Sequence, residues 1–143
     1  MITTFRGVEM GSDLGKRLES LRESRNWSKT RVQKALGIKA LSTYANYEYG
    51  YRAPSRELIK KIAELYDVSV EYLYGEEVPL DDTDENLSPK KKLIASIIEK
   101  LPDEEVEKLD NQSIEILVEQ MISQFMTTAK LIDQQKGKDP QDD

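Results

Sequence analysis

The chain contains no cysteine and no histidine. A disulfide framework, a Cys-His nucleophile pair, a Ser-His-Asp triad and the usual structural zinc sites are therefore closed to it. No Gly-rich phosphate loop and no paired catalytic carboxylates can be placed, so neither an enzyme activity nor a cofactor or metal is expected. Apolar runs in the C-terminal half do not exceed three residues, as in Ile116-Leu117-Val118, against the ~20 that a membrane span requires. Met1 to Ser12 has no apolar stretch like that of a signal peptide, so the expected location is the cytoplasm, with no membrane partner.

What is present is unevenly distributed. Of 143 residues, 34% are charged and 38% hydrophobic, enough for a modest core, and the net charge is −6. Residues 1–75 hold 13 Lys or Arg against 9 Asp or Glu, whereas residues 76–143 hold 8 against 18. Trp27 and all seven tyrosines fall between positions 27 and 74, which leaves Phe125 as the one aromatic residue of the second half. Two segments with different cores are implied, joined by Glu76 to Leu87, an acidic stretch with Pro79 and no apolar period.

Helical periodicity organises the first segment. Leu14, Leu18 and Leu21 space a first amphipathic helix from about Asp13 to Arg25. Ser28 caps a second that runs to Leu36, where Gly37 can take the left-handed conformation that ends helices. A third is expected from about Leu41 to Tyr49, a fourth from Pro54-Ser55 through Leu58, Ile59, Ile62 and Tyr66, and a fifth from Ser69 to Tyr74. Five short helices with brief turns point to a compact all-α domain over 13–75, after a tail over 1–12.

A helix, a turn at Gly37 and a second helix carry the function, since such a pair can project one helix into a major groove. In Leu14-Gly15-Lys16-Arg17-Leu18, Ala35-Leu36-Gly37-Ile38, Ser42-Thr43-Tyr44, Glu48-Tyr49-Gly50-Tyr51-Arg52-Ala53-Pro54 and Val68-Ser69-Val70-Glu71-Tyr72-Leu73-Tyr74-Gly75, the chain resembles the Cro and phage-repressor type (XRE) helix-turn-helix family. The resemblance covers about half of the chain and implies a transcription regulator of a bacterial or phage-infected cell. It also implies that the third helix reads DNA, with Ser42, Thr43 and Asn46 facing base edges while Tyr44 and Tyr47 face the core. Asn can bridge N6 and N7 of adenine. Lys29, Lys39, Tyr49 and Arg52 are the phosphate candidates, and Arg22 with Glu48 matches a structural ion pair between the first and third helices. From Gly37 to Glu48 there are eleven steps where the family has ten, and Gln33 stands where the family has a small residue. The tyrosines also admit a bland alternative, a stacking platform for single strands, which the core-facing spacing of Tyr44 and Tyr47 disfavours.

The second segment, 88–136, reads as a helical oligomerisation region ahead of a polar tail over 137–143. Ser88-Pro89 starts a helix whose apolar residues are Leu93, Ile94, Ile97, Ile98 and Leu101. From Asp103 to Lys136 there is neither Gly nor Pro, and one long amphipathic helix is expected there. Its stripe includes Leu117, Met121, Ile122 and Phe125, the candidate dimerisation residues. A homodimer on an inverted-repeat double-stranded DNA operator is the leading expectation, a repressor resembling those that control lysogeny or a mobile element, with an antirepressor or other regulatory protein as a further candidate partner. The alternative is an antitoxin or similar interaction protein whose C-terminal helices bind a protein partner and whose DNA binding is autoregulatory.

Overall fold

The computed structural model describes residues 10–75 and 87–138, with side chains from Leu14 to Gly75 and from Leu87 to Gly137. The expected acidic linker, save Leu87, and most of the two expected tails lie outside the described residues. Among the described residues the regular structure is helical throughout: α1 (Met10–Ser24), α2 (Lys29–Ala35), α3 (Leu41–Tyr49), α4 (Arg56–Tyr66), α5 (Val70–Tyr74), α6 (Pro89–Ile98), α7 (Asp103–Lys108) and α8 (Asn111–Lys138).

Local chemistry sets most of these boundaries. The hydroxyls of Ser28, Ser55, Ser69 and Ser88 each accept the N–H three residues on, at 3.0–3.2 Å, and so satisfy a donor that the helix itself leaves open. Past α2, Gly37 adopts φ +73°, which a residue with a Cβ resists, and the Ile38 N–H closes back on the Gln33 carbonyl. Gln33 Nε2 also donates to the Ile38 carbonyl at 2.7 Å. The larger polar side chain thus braces the turn, and Ala40, in an extended conformation, leads into α3.

The core of α1–α5 is built from Leu14 and Leu18 of α1, Val32 and Leu36 at α2, Tyr44 of α3, Ile59, Ile62 and Tyr66 of α4, and Leu73 of α5. Trp27 closes one corner of it. Its ring stacks on Tyr66 with centroids 5.8 Å apart, Arg31 lies over its face at 4.8 Å, and Arg25 sits over Tyr66 at 5.0 Å while donating to the Tyr66 carbonyl.

Contacts divide the chain after Asn111, so α6 and α7 cluster with α1–α5 rather than with the rest of α8. The uninterrupted helix expected from Asp103 onward is in fact two. It breaks because Leu109 is extended (ψ 135°) and side chains take the carbonyls at the end of α7: Lys29 Nζ donates to those of Glu107 and Leu109, and the Tyr49 hydroxyl to those of Val106 and Leu109. The apolar face of α6 is also rotated from the expected stripe, since Ile94, Ala95 and Ile98 are buried while Leu93 and Ile97 are exposed.

From Gln112 on, α8 forms a unit of its own. Along it Leu117, Met121, Phe125 and Ile132 are exposed, Ile122 is half-buried, and Ile116, Met126 and Leu131 add further exposed apolar surface.

Candidate nucleic-acid interface

The placement of α3 begins with a buried ion pair. Arg22 of α1 donates from Nε to Glu48 Oε2 at 2.7 Å and from Nη2 to Oε1 at 3.1 Å, a two-pronged contact, and its Nη1 reaches the Trp27 carbonyl at 2.9 Å. The Glu48 side chain has no exposed surface. Burial works against the Arg22 charge, but the adjoining carboxylate outweighs it and holds the guanidinium pKa above its usual range. One contact therefore fixes the end of α1, the start of the loop into α2, and α3.

Around α3, Tyr44 is wholly buried in the core and meets Tyr47 edge-on at 6.4 Å. Opposite Tyr44, the residues Ser42, Ala45, Asn46 and Tyr49 recur at helical spacing and form one face. Thr43 stays half-exposed beside it, and Lys39 is exposed in the turn. Of the phosphate candidates, Lys29 opens α2, Tyr49 closes α3 and Arg52 follows it. The structure thus gathers Lys29, Ser42, Asn46, Tyr49 and Arg52 around the α2–α3 pair.

Lys29, Asn46, Tyr49 and Arg52 already have partners within the chain. Asn46 Nδ2 donates to the Ala95 carbonyl of α6 at 3.2 Å. Lys29 is 2% exposed, and its ammonium donates to the carbonyls of Glu107 and Leu109; burial lowers its pKa, against the attraction of Glu48. Tyr49 is held by the same end of α7, and burial raises its phenol. Arg52 Nε pairs with Glu99 at 3.2 Å. Sequence reasoning did not find Glu107, whose carboxylate accepts the N–H groups of Lys29 and Thr30 and the Thr30 hydroxyl at 2.7–2.9 Å. Burial pushes that carboxyl up, but the hydrogen bonds prevail and hold it below the usual carboxylate range. Nothing in the sequence marks it, since it is one of four acids within α7.

A helix-turn-helix family model matches residues 18–73, which run from α1 into α5. The HTH-type transcriptional regulator AnsR of Bacillus subtilis (strain 168) is 48% identical over 61 residues, 43% of this chain and 52% of that protein. The HTH-type transcriptional regulator ImmR of the same organism is 32% identical over 92 residues, covering 64% of this chain and 70% of ImmR. The cryptic phage CTXphi transcriptional repressor RstR of Vibrio cholerae is 29% identical over 93 residues, covering 65% and 78%. The match thus spans about half the length of AnsR. No solved structure gives a significant match.

Proposed function

The chain belongs to the Cro and phage-repressor type (XRE) helix-turn-helix family of transcriptional regulators, and from that premise we propose that it is a homodimeric repressor of an inverted-repeat operator. The observation that supports this most is the face of α3 opposite Tyr44. A serine and an asparagine stand there, with Lys29, Tyr49 and Arg52 at its edges. Asn46 is suited to a two-point contact with adenine and Ser42 to several bases, while the cations and hydroxyl at the edges suit phosphates, which set register without reading sequence. Occupying a promoter in this way represses it without chemistry.

Dimerisation through α8 supplies the second half-site. Leu117, Met121, Phe125 and Ile132 recur at four- and seven-residue steps on a helix that leaves them exposed, and apolar surface of that extent seeks a partner. In a two-fold dimer, two α3 helices about 34 Å apart meet successive turns of one side of the duplex. Such pairing also allows a reading domain of modest charge, because the phosphate contacts of two subunits add.

Selection from random-sequence double-stranded DNA by the full chain at physiological salt tests the reading. Recovery of two short half-sites in inverted repeat is expected; a pool no different from its input, with the wild type and with Glu107→Gln alike, would refute it. Asn46→Ala is expected to relax preference at one base position per half-site, by about 1–3 kcal/mol of discrimination; equal weakening on every sequence would instead remove Asn46 from base reading. Met121→Asp with Phe125→Asp is expected to leave a monomer in sedimentation and to abolish the preference for paired over single half-sites. A dimer that persists at micromolar concentration in that variant would place the interface elsewhere.

A further inference from the structure

The face of α3 that reads DNA in the proposed function is covered. Ser42, Ala45, Asn46 and Tyr49 are each at most 7% exposed, and what lies against them is α6 and α7, through Ala95 on Asn46 and the end of α7 on Tyr49. A reading helix must bring this face within hydrogen-bonding distance of base edges in a groove about 12 Å wide, which two packed helices prevent. We infer that α6 and α7 form an autoinhibitory cover, that the structure is the closed form of the protein, and that DNA binding requires the cover to leave α3. The inference rests on α3 being the reading helix.

The side chains under the cover are poorly matched to it. Asn46 has no exposed surface, yet it makes one hydrogen bond through Nδ2 and its Oδ1 meets no partner. A buried amide with an unmet acceptor costs free energy that an apolar residue of similar size avoids, so packing alone gives no reason for asparagine here. Base reading does. Lys29 follows the same logic, because a long cation is buried to reach two backbone carbonyls that water or a helix C-cap could equally satisfy.

The charges of the cover complement those of the reading surface. Glu99 pairs with Arg52, the Glu107 carboxylate takes the N–H groups of Lys29 and Thr30 and the Thr30 hydroxyl, and carbonyls of α7 take the Lys29 ammonium and the Tyr49 hydroxyl. Lys29, Tyr49 and Arg52 are three of the four phosphate candidates; the fourth, Lys39, is exposed in the turn. Anionic groups of α6 and α7 therefore neutralise the surface that phosphates would neutralise, and the closed form and the DNA complex exclude one another. Under that exclusion, apparent affinity for DNA is the intrinsic affinity reduced by the fraction of protein that is open. Anything that holds α6 and α7 away from α3 raises affinity without touching a DNA contact.

Two sets of full-length variants test this against duplex DNA enriched from the random pool, by fluorescence anisotropy. Glu107→Gln weakens the closed form and is expected to bind about tenfold more tightly than wild type, the effect of roughly one charge-assisted hydrogen bond. Glu104→Gln makes the same change of charge on the exposed side of α7 and is expected to stay within about twofold of wild type. In the second set, Arg52→Cys with Glu99→Cys introduces the only thiols in a cysteine-free chain. A short bis-maleimide across them locks the cover, and a monofunctional maleimide on both controls for bulk. The bridged protein is expected to bind at least tenfold more weakly than the capped one. Equal binding by bridged and capped protein, or no advantage of Glu107→Gln over Glu104→Gln, would overturn the cover while leaving α3 as the reader. Failure of every form, Glu107→Gln included, to enrich any duplex would overturn the DNA reading and the cover with it.

Discussion

Replacing Arg22 by Ala should unfold much of the protein at temperatures where the wild type is intact. The substitution leaves the Glu48 carboxylate, which has no exposed side-chain surface, without the two donors that hold it, and it also frees the Trp27 carbonyl. Breaking a buried pair by removing one partner costs about 3–5 kcal/mol, a large share of the roughly 5–15 kcal/mol that holds a small domain together. For a unit of this size that corresponds to a fall in Tm on the order of 15 °C or more, measurable by circular dichroism at 222 nm. Removing both partners is different in kind. Arg22→Met with Glu48→Leu leaves no stranded charge and is expected to recover most of the loss. A single variant that loses less than about 1 kcal/mol would show that water reaches Glu48 and that the pair does not position α3.

Gly15→Ala is expected to be nearly as damaging, although helix propensity alone predicts the reverse. Within a helix, alanine is favoured over glycine by about 0.5–1 kcal/mol. At position 15, however, a Cβ would land on the Glu48 carbonyl group and come within 3.0 Å of the Tyr47 carbonyl oxygen. Those are backbone atoms of α3, so no side chain can rotate away, and α1 and α3 must separate. Overpacking of this kind costs about 3 kcal/mol, and the separation would also stretch the Arg22–Glu48 contact. Gly137→Ala provides the contrast: nothing lies within 4 Å of that Cβ, and the only expected change is a slight gain in the helicity of α8. Urea unfolding of both variants decides the matter; equal midpoints would mean that α1 and α3 are less closely apposed than the structure has them.

The elements of the first five helices were legible because their signals are local. Ser28, Ser55 and Ser69 each cap within three residues, Gly37 ends α2 in its own turn, and the leucines of α1 carry their period on their faces. The break between α7 and α8 was not legible, since no Gly or Pro stands there. It is made by Lys29 and Tyr49, some 60–80 positions away in sequence, and a residue-by-residue period contains no trace of such donors. The rotation of α6 has the same origin: Leu93 and Ile97 are as apolar as Ile94 and Ile98, and only the surface beneath decides which pair is buried. At the candidate site, residue types revealed that Asn46, Lys29 and Arg52 are suited to polar partners. They could not reveal that Ala95, Glu99 and the carbonyls of α7 fill that role in the closed form.

The corner built by Trp27 has an optical consequence. It is the chain's only tryptophan, and it stacks on Tyr66 and lies under Arg31 at the junction of α1 and α2, two residues before Lys29. Light absorbed above 295 nm is therefore reported from a single place. Its emission follows the packing of α4 against the α1–α2 corner, while α8, whose one aromatic residue is Phe125, is silent at that wavelength. The proposed association through α8 and loosening of the reading domain can thus be followed in one unlabelled sample, the first by mass and the second by colour.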